Sequence, residues 1–132
     1  MIDADGRVVQ EVRFRQPVER VWRAISESYE LAQWLMENDF EPRVGCRFHL
    51  EAGPPRGRIA AEVLTLDAPT RLRMRWMLDG VATTVSITLR ADGDGTVLRL
   101  EHEALTDESR PKFDGGWVEK FDNLERMMRE TP

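Results

Sequence analysis

Along most of the chain, apolar and polar positions alternate with a period of two, which is typical of β-strands that bury one face. The first such segment is Arg7–Arg15, and five more follow between Cys46 and Glu103. Asp79-Gly80, between two of them, is the two-residue signal for a type I′ hairpin turn. The pattern therefore predicts six strands, of which five form an antiparallel meander.

The remaining apolar positions follow a helical period. Two short helices are predicted after the first strand, the first starting at Pro17 and the second capped by Ser28. Residues 39–45 are interpreted as an extended connection. Thr106–Pro111 is interpreted as a polar linker to a long amphipathic helix of about four turns. Gly115-Gly116, near the start of this helix, is interpreted as letting the helix and sheet backbones approach closely.

Length, charge and cysteine content narrow the class of protein. A chain of 132 residues predicts one domain, residues 1–132, with its core at roughly 7–130. The net charge of −5 argues against a nucleic-acid partner, which a basic excess would indicate. No apolar stretch approaches the roughly 18 residues of a membrane span, so no membrane insertion is expected. The single cysteine, Cys46, excludes an internal disulfide and a thiol-rich zinc site. We expect a cytoplasmic protein without a cofactor.

The order of elements predicts an α+β architecture. A hairpin-connected sheet with one apolar face must cover that face, and the C-terminal helix is the element long and apolar enough to do so. A twisted sheet curls as it grows, and a curled sheet around one helix often leaves space between the two. Such a concave, apolar space is a common site for small ligands.

Several segments in order resemble a known family. They are Pro17–Ile25, Leu31–Leu35, Phe40–Gly45 and the Gly116-Trp117 pair that opens the last helix. Together they resemble the START-related helix-grip (SRPBCC) superfamily, and within it the bacterial homologues of the activator of heat shock protein 90 ATPase. The resemblance implies a curved six-stranded antiparallel sheet wrapped around a long C-terminal helix. Members include lipid carriers, polyketide cyclases and aromatases, hormone receptors and chaperone regulators, so the site has to decide the function.

The strand and helix phases predict which side chains line the space. Trp76 and Trp117 either face each other across a cavity or pack against one another, and both alternatives stay open. The full predicted lining is Met74, Trp76, Thr83, Val85, Ile87, Leu100, His102, Trp117, Phe121 and Leu124.

His102 is the one candidate for catalysis. Its position in phase with Leu100 points the imidazole into the predicted cavity, where it could act as a general base or donate a hydrogen bond to a ligand carbonyl. The alternative is a structural histidine bonded to a neighbouring group. Thr83 and Asp39 are candidate partners that the sequence cannot place. His49, the other histidine, falls on the opposite face, so no metal site is expected.

The leading functional hypothesis is non-enzymatic binding of a small hydrophobic or aromatic molecule between the sheet and the C-terminal helix. One alternative is a cyclase-, aromatase- or hydrolase-like enzyme that uses His102. A second alternative is a chaperone-regulating interaction module, although a chaperone partner is doubtful for a single domain. A homodimer is possible, but no dedicated contact surface is evident.

Overall fold

The structure consists of a seven-stranded antiparallel sheet and three helices. It is a computed structural model that describes residues 1–130, and positions 131–132 of the predicted domain lie outside the described residues. In chain order the elements are β1 (Val8–Phe14), α1 (Val18–Ser26), α2 (Ser28–Trp34), β2 (Glu37–Asn38), β3 (Arg47–Glu51), β4 (Arg58–Asp67), β5 (Arg71–Leu78), β6 (Val81–Asp92), β7 (Gly95–Glu103) and α3 (Arg110–Glu130). The sheet order is β1-β7-β6-β5-β4-β3-β2. The predicted α+β helix-grip architecture is confirmed.

The strand count differs from the prediction by one. β2 contains two residues, Glu37 and Asn38, which pair with Glu51 and Leu50 of β3. A pair this short shows no alternation of apolar and polar positions, so periodicity cannot reveal it. The two residues precede the segment that we interpreted as an extended connection.

The hairpin between β5 and β6 forms the turn that the sequence predicts. Asp79 has a φ of 53° and Gly80 a φ of 80°, so both central residues adopt the left-handed conformation of a type I′ turn. The turn aligns Leu78 with Val81 and fixes the register of the two central strands. Trp76 and Thr83 are directly opposite each other in this register.

The C-terminal helix is longer than predicted. α3 begins at Arg110 and spans 21 residues, so Gly115 and Gly116 lie inside it and not at its start. Pro111 is compatible with this start because the first turn of a helix needs no N–H donors. The backbone N–H of Ser109 donates to Oγ1 of Thr106 at 3.2 Å, which organises the entry into the helix. The predicted polar linker therefore ends two residues earlier, at Ser109.

The predicted capping role of Ser28 is wrong. Glu27 occupies the N-cap position of α2 without a side-chain cap. The Ser28 hydroxyl instead donates to Oδ1 of Asn38 at 2.8 Å, and Nδ2 of Asn38 donates to the Ser28 carbonyl at 3.1 Å. The serine thus ties α2 to the edge strand β2, a long-range role that helix-start rules cannot predict.

The core lies between the concave face of the curled sheet and the buried stripe of α3, with α1 and α2 closing one end. The buried residues of α3 are Trp117, Phe121, Leu124 and Met128. No helix in residues 1–130 is both long enough and apolar enough to cross a membrane.

At the two edges of the sheet, few backbone N–H and C=O groups are free to pair with another strand. β2 has only two residues, and the outer side of β1 is partly covered where Ile2 bridges Val8 and the Val9 N–H donates to the Met1 carbonyl at 2.8 Å. Exposed strand edges are what edge-to-edge pairing requires. The possible homodimer therefore stays a prediction that these edges do not favour.

Candidate functional site

All ten predicted lining residues meet on the inner face of the sheet and on α3. None of them is more than 3% exposed. β5 contributes Met74 and Trp76, β7 contributes Leu100 and His102, and α3 contributes three of the others from its buried stripe. The inward phase that the sequence predicts for these positions is therefore the phase the structure has. Their role in binding stays a prediction.

The aromatic side chains of this region form one continuous stack. The ring centroids of Trp76 and Trp117 are 5.4 Å apart, and those of Trp117 and Phe121 are 5.5 Å apart. Trp34 extends the stack with its centroid 5.9 Å from that of Phe121, and its Nε1–H donates to the Ala24 carbonyl at 2.8 Å. Of the two alternatives for Trp76 and Trp117, the structure has the second, because the rings pack against each other.

Only a small pocket remains beside this stack. Its volume is about 80 Å³, and its lining is Leu35, Met36, Trp76, Phe113, Gly116, Trp117 and Lys120. A dry cavity that holds benzene measures about 150 Å³. The open hollow that we expected between sheet and helix is thus mostly filled by side chains in this conformation. The reason is that large aromatic residues on both sides reach far enough to meet.

Larger depressions lie elsewhere on the surface. Two of them measure about 370 Å³, beside Arg13, Arg15 and Arg129, and about 380 Å³, on the outer face of the sheet beside Arg47 and Arg75. Neither includes a residue of the aromatic stack. Ligand pockets are mostly apolar with few polar groups, which favours the small pocket beside the aromatic stack despite its volume.

A chain of buried hydrogen bonds holds His102 beside the stack. The Trp117 Nε1–H donates to Nδ1 of His102 at 3.1 Å, and Nε2 of His102 is 2.9 Å from Oγ1 of Thr83. The Thr83 hydroxyl donates to the Trp76 carbonyl at 2.8 Å. Because Nδ1 accepts and the threonine proton points to the carbonyl, Nε2 must carry the imidazole proton. Thr83 is therefore the partner of His102.

The environment keeps His102 neutral. Burial lowers the pKa of its imidazole to about 3, because loss of solvation disfavours the charged form. The lone pair on Nδ1 is already occupied by the indole N–H of Trp117. A general base needs a free lone pair within reach of substrate. The arrangement is that of a structural histidine that orients two tryptophans.

Asp39, the other candidate partner of His102, serves the opposite face of the sheet. It accepts the backbone N–H of His49, and this bond lowers the pKa of the Asp39 carboxyl. The two histidines are thus on opposite faces, as their phases predict. Within residues 1–130, no three His, Cys, Asp or Glu side chains converge as metal ligands.

Sequence reasoning missed several residues of the pocket wall. Leu35, Met36, Phe113 and Lys120 line it in addition to the predicted residues. The Phe113 ring also contacts His102, with centroids 5.1 Å apart. Lys120 could have been found, because it lies one helical turn after Gly116 and three residues after Trp117.

The interpretation of the glycine pair is wrong. A Cβ added at Gly115 or Gly116 would meet nothing within 4 Å, so neither glycine is needed for close approach of backbones. Gly116 instead leaves open space at the wall of the pocket. The first buried residue of α3 is Trp117, one position later. The start of α3 is therefore the most weakly packed wall of the site.

One further contact closes the rim. The Arg56 guanidinium, from the loop between β3 and β4, lies 5.4 Å from the centre of the Phe113 ring. Its Nη1 is also 3.4 Å from Oδ2 of Asp79 in the hairpin turn. A cation over an aromatic face is attracted by the ring quadrupole. Arg56 thus holds Phe113 over the pocket.

One buried polar atom of the site has no partner. The Nε1–H of Trp76 is buried and forms no hydrogen bond within residues 1–130. Trp76 itself is 1% exposed and lines the pocket. A buried donor without an acceptor costs about 1–3 kcal/mol, so natural structures seldom keep one without a reason.

Comparison with known proteins places the fold and the family. The family model described as "Activator of Hsp90 ATPase homolog 1-like protein" matches residues 15–129. The Mesorhizobium loti protein MLL2253 is 30% identical, with a TM-score of 0.87 over 96% of this chain and 98% of that one. CalU16 from Micromonospora echinospora is 26% identical, with a TM-score of 0.84 over 100% of this chain and 81% of that one.

A third solved structure, of the Bacillus halodurans protein BH1534, is 29% identical, with a TM-score of 0.77 over 91% of this chain and 94% of that one. Among curated proteins, none matches the chain significantly. The family match covers most of the sequence and agrees with the helix-grip architecture. The chain therefore belongs to the activator of Hsp90 ATPase homolog 1-like family of the SRPBCC superfamily.

Proposed function

We propose that this protein binds a small, flat, hydrophobic or aromatic molecule, without catalysis, in an opened form of the pocket beside Trp76 and Trp117. The fold supports a ligand-binding domain in general. The observation that carries the finer proposal is the pocket wall of aromatic and aliphatic side chains, one of which keeps a buried donor unpaired. Stacked aromatic rings offer a flat molecule a large contact area.

Entry of a ligand requires the start of α3 to move. Residues 110–116 contain no buried side chain, and two of them are glycines, which weaken a helix interior by roughly 0.5–1 kcal/mol each. The polar tethers of this part of α3 meet at Asp114, whose Oδ1 accepts from Nε2 of Gln10 at 2.7 Å and from the α-amino group of Met1. Segments with few buried contacts open at the lowest free-energy cost. Phe113 moves with that turn and enlarges the pocket, while Trp117 keeps its hydrogen bond to His102.

The energetics allow useful affinity. Burial of about 300 Å² of apolar ligand surface contributes on the order of 7 kcal/mol before association costs. Displacing Phe113 from its contacts with the His102 ring and the Arg56 guanidinium costs roughly 0.5–1.5 kcal/mol each, and the ligand ring replaces part of this. Before association costs the balance is about 4–6 kcal/mol, which sets a lower limit of roughly 0.04–1 mM on the dissociation constant.

The hydrogen bonds of His102 support a non-enzymatic role. Both ring nitrogens are occupied, and the burial that lowers its pKa removes it from acid–base work near neutral pH. If the protein were a cyclase-like enzyme, His102 would have to exchange its Trp117 bond for a substrate. We assign the imidazole to positioning the aromatic wall.

The test uses a blocking variant and its neighbour. Gly116→Leu places a side chain in the pocket, whereas Gly115→Leu adds the same side chain one position away, outside the lining. Both positions have open space, so both variants should fold. 2-Naphthol is titrated into the ¹⁵N-labelled protein, and the indole N–H signals of the four tryptophans are followed.

We expect the Trp76 and Trp117 signals to shift saturably in the native protein and in Gly115→Leu, and not in Gly116→Leu. Equal binding by Gly116→Leu would contradict the proposed location. Signals that stay unchanged in the native protein, with 2-naphthol and with naphthyl acids, would contradict the proposed function itself.

A further inference from the structure

The pocket has a single charged residue on its wall, and this residue is a cation. Lys120 lines the pocket and is half-buried, whereas every other lining residue is apolar or glycine. Within residues 1–130, the side chain of Lys120 forms no ion pair or hydrogen bond. The aliphatic stem of Lys120 lines the pocket, while its ammonium group is not among the buried polar atoms, so the charge lies at the edge of the pocket without a protein anion beside it.

The neighbours of Lys120 on its helix explain why it stays unpaired. The positions one turn away are Gly116, Trp117, Asn123 and Leu124, and none of them is acidic. Side chains three and four residues apart are the ones that meet on a helix surface. Other charged residues of α3 do pair in this way, as Arg129 does with Glu125 at 3.7 Å. The pocket side of α3 thus lacks an anion.

A second donor inside the pocket wall is also unpaired. The Trp76 Nε1–H has no acceptor, although the ring to which it belongs lines the same pocket as Lys120. Both groups are donors, and no acceptor side chain lines the pocket. A ligand with a hydrogen-bond acceptor would therefore pair with donors that have no partner in the protein. A negatively charged acceptor would form the strongest of these bonds, because charge-assisted hydrogen bonds are stronger than neutral ones.

We propose that the ligand is an aromatic acid, a flat apolar ring system with one carboxylate or another anionic oxygen group. The ring occupies the space beside Trp76 and Trp117. The anionic oxygen lies at the pocket rim, where it accepts from Lys120, and the Trp76 Nε1–H supplies a second donor to an oxygen of the ligand. This inference rests on the proposed function and adds the chemical class of the ligand to it.

The experiment compares two probes of nearly equal shape, 2-naphthoate and the neutral 2-naphthamide, at pH 7. Lys120→Met removes the charge and keeps most of the apolar stem. Lys112→Met is the matched control, since Lys112 is the other lysine, lies on the same helix and is exposed outside the pocket. Affinities come from calorimetric titration, and the Trp76 indole N–H signal reports on the second donor.

We expect the native protein and Lys112→Met to bind 2-naphthoate at least fivefold more tightly than 2-naphthamide. Lys120→Met should lose most of that preference while it still binds 2-naphthamide. The Trp76 N–H signal should move downfield with both probes. Equal affinity of the native protein for the two probes, or a preference that survives in Lys120→Met, would overturn the ligand class and leave the proposed function standing. If neither probe binds, the proposed function fails and this inference with it.

Discussion

At the scale of single residues, a relay of three hydrogen bonds sets the geometry of the site. Trp117 donates to His102, His102 donates to Thr83, and Thr83 donates to the Trp76 carbonyl. Every group in this relay is buried. A satisfied buried network makes an arrangement specific, and removing one member leaves the next unpaired. The relay therefore holds both tryptophans in register across the sheet–helix interface.

Thr83→Val tests the relay at its centre. Valine keeps the shape but removes the acceptor of the His102 Nε2–H and the donor to the Trp76 carbonyl. We expect the free energy of unfolding to fall by about 1–3 kcal/mol, the usual cost of stranding buried polar groups. Thr84→Val, one residue along and on the outer face, should change it by less than about 0.5 kcal/mol. Urea unfolding measures both, and equal effects would contradict the relay.

The lowered pKa of His102 predicts how stability depends on pH. The unfolded histidine titrates near its ordinary pKa of 6.5, whereas the folded one titrates at about 3. Below 6.5 the unfolded state binds the extra proton, so stability is fully present above that pH and falls as the pH falls towards 3. The slope approaches about 1.4 kcal/mol per pH unit.

The check is urea unfolding from pH 7 to pH 5, a range that lies above the titration of most carboxyls. His102→Gln should flatten the slope. His49→Gln keeps the buried His102 and should retain that residue's part of the slope. A native protein whose stability is the same at pH 5 and pH 7 would contradict the assignment of His102 as a buried neutral side chain.

At the scale of elements, local pattern explains most of the structure and fails where partners are distant. The alternation and the Asp79-Gly80 pair predict the central hairpin because both signals are local. β2 is not predicted because a strand of two residues shows no alternation of apolar and polar positions. The role of Ser28 is predicted wrongly because its partner, Asn38, belongs to another element. The start of α3 is misplaced because glycines usually mark helix ends, while here two of them lie inside the helix.

The left-handed turn makes Gly80 a sensitive position. Its φ of 80° is one that residues with a Cβ adopt at a cost of roughly 1–2 kcal/mol. Gly80→Ala should therefore lower the free energy of unfolding by about 1 kcal/mol, although a Cβ there meets nothing within 4 Å. Thermal or urea unfolding of the native protein and Gly80→Ala measures this difference. A stabilising effect would show that this turn is not a type I′ turn in solution.

Gly115→Ala should have the opposite sign. This glycine is in the helix interior with open space around it, so alanine gains roughly 0.5–1 kcal/mol of helix stability without a clash. The stiffer turn should also slow amide hydrogen exchange in residues 110–116 and slow ligand entry. If exchange there stays unchanged while global stability rises, opening does not involve this part of α3.

At the scale of the whole molecule, the sequence predicts which side chains of the candidate site lie together, but it does not predict how much space remains between them. Strand phase and helix stripe are enough to bring Trp76, His102 and Trp117 together, because all three face the same core. They do not say whether the facing side chains meet. That outcome depends on the summed lengths of aromatic side chains across the interface, which leave about 80 Å³. Lys120 is missed because a pattern of apolar positions gives no weight to a lysine one helical turn after Gly116.

The central claim is that the start of α3 moves to admit a flat ligand between the sheet and the helix. A crystal structure with 2-naphthoate tests it most directly. The claim predicts ligand density against Trp76 and Trp117, a displaced Phe113 and a pocket well above its present volume. Ligand found only in the surface depressions beside the arginines, with the aromatic stack unchanged, would contradict it.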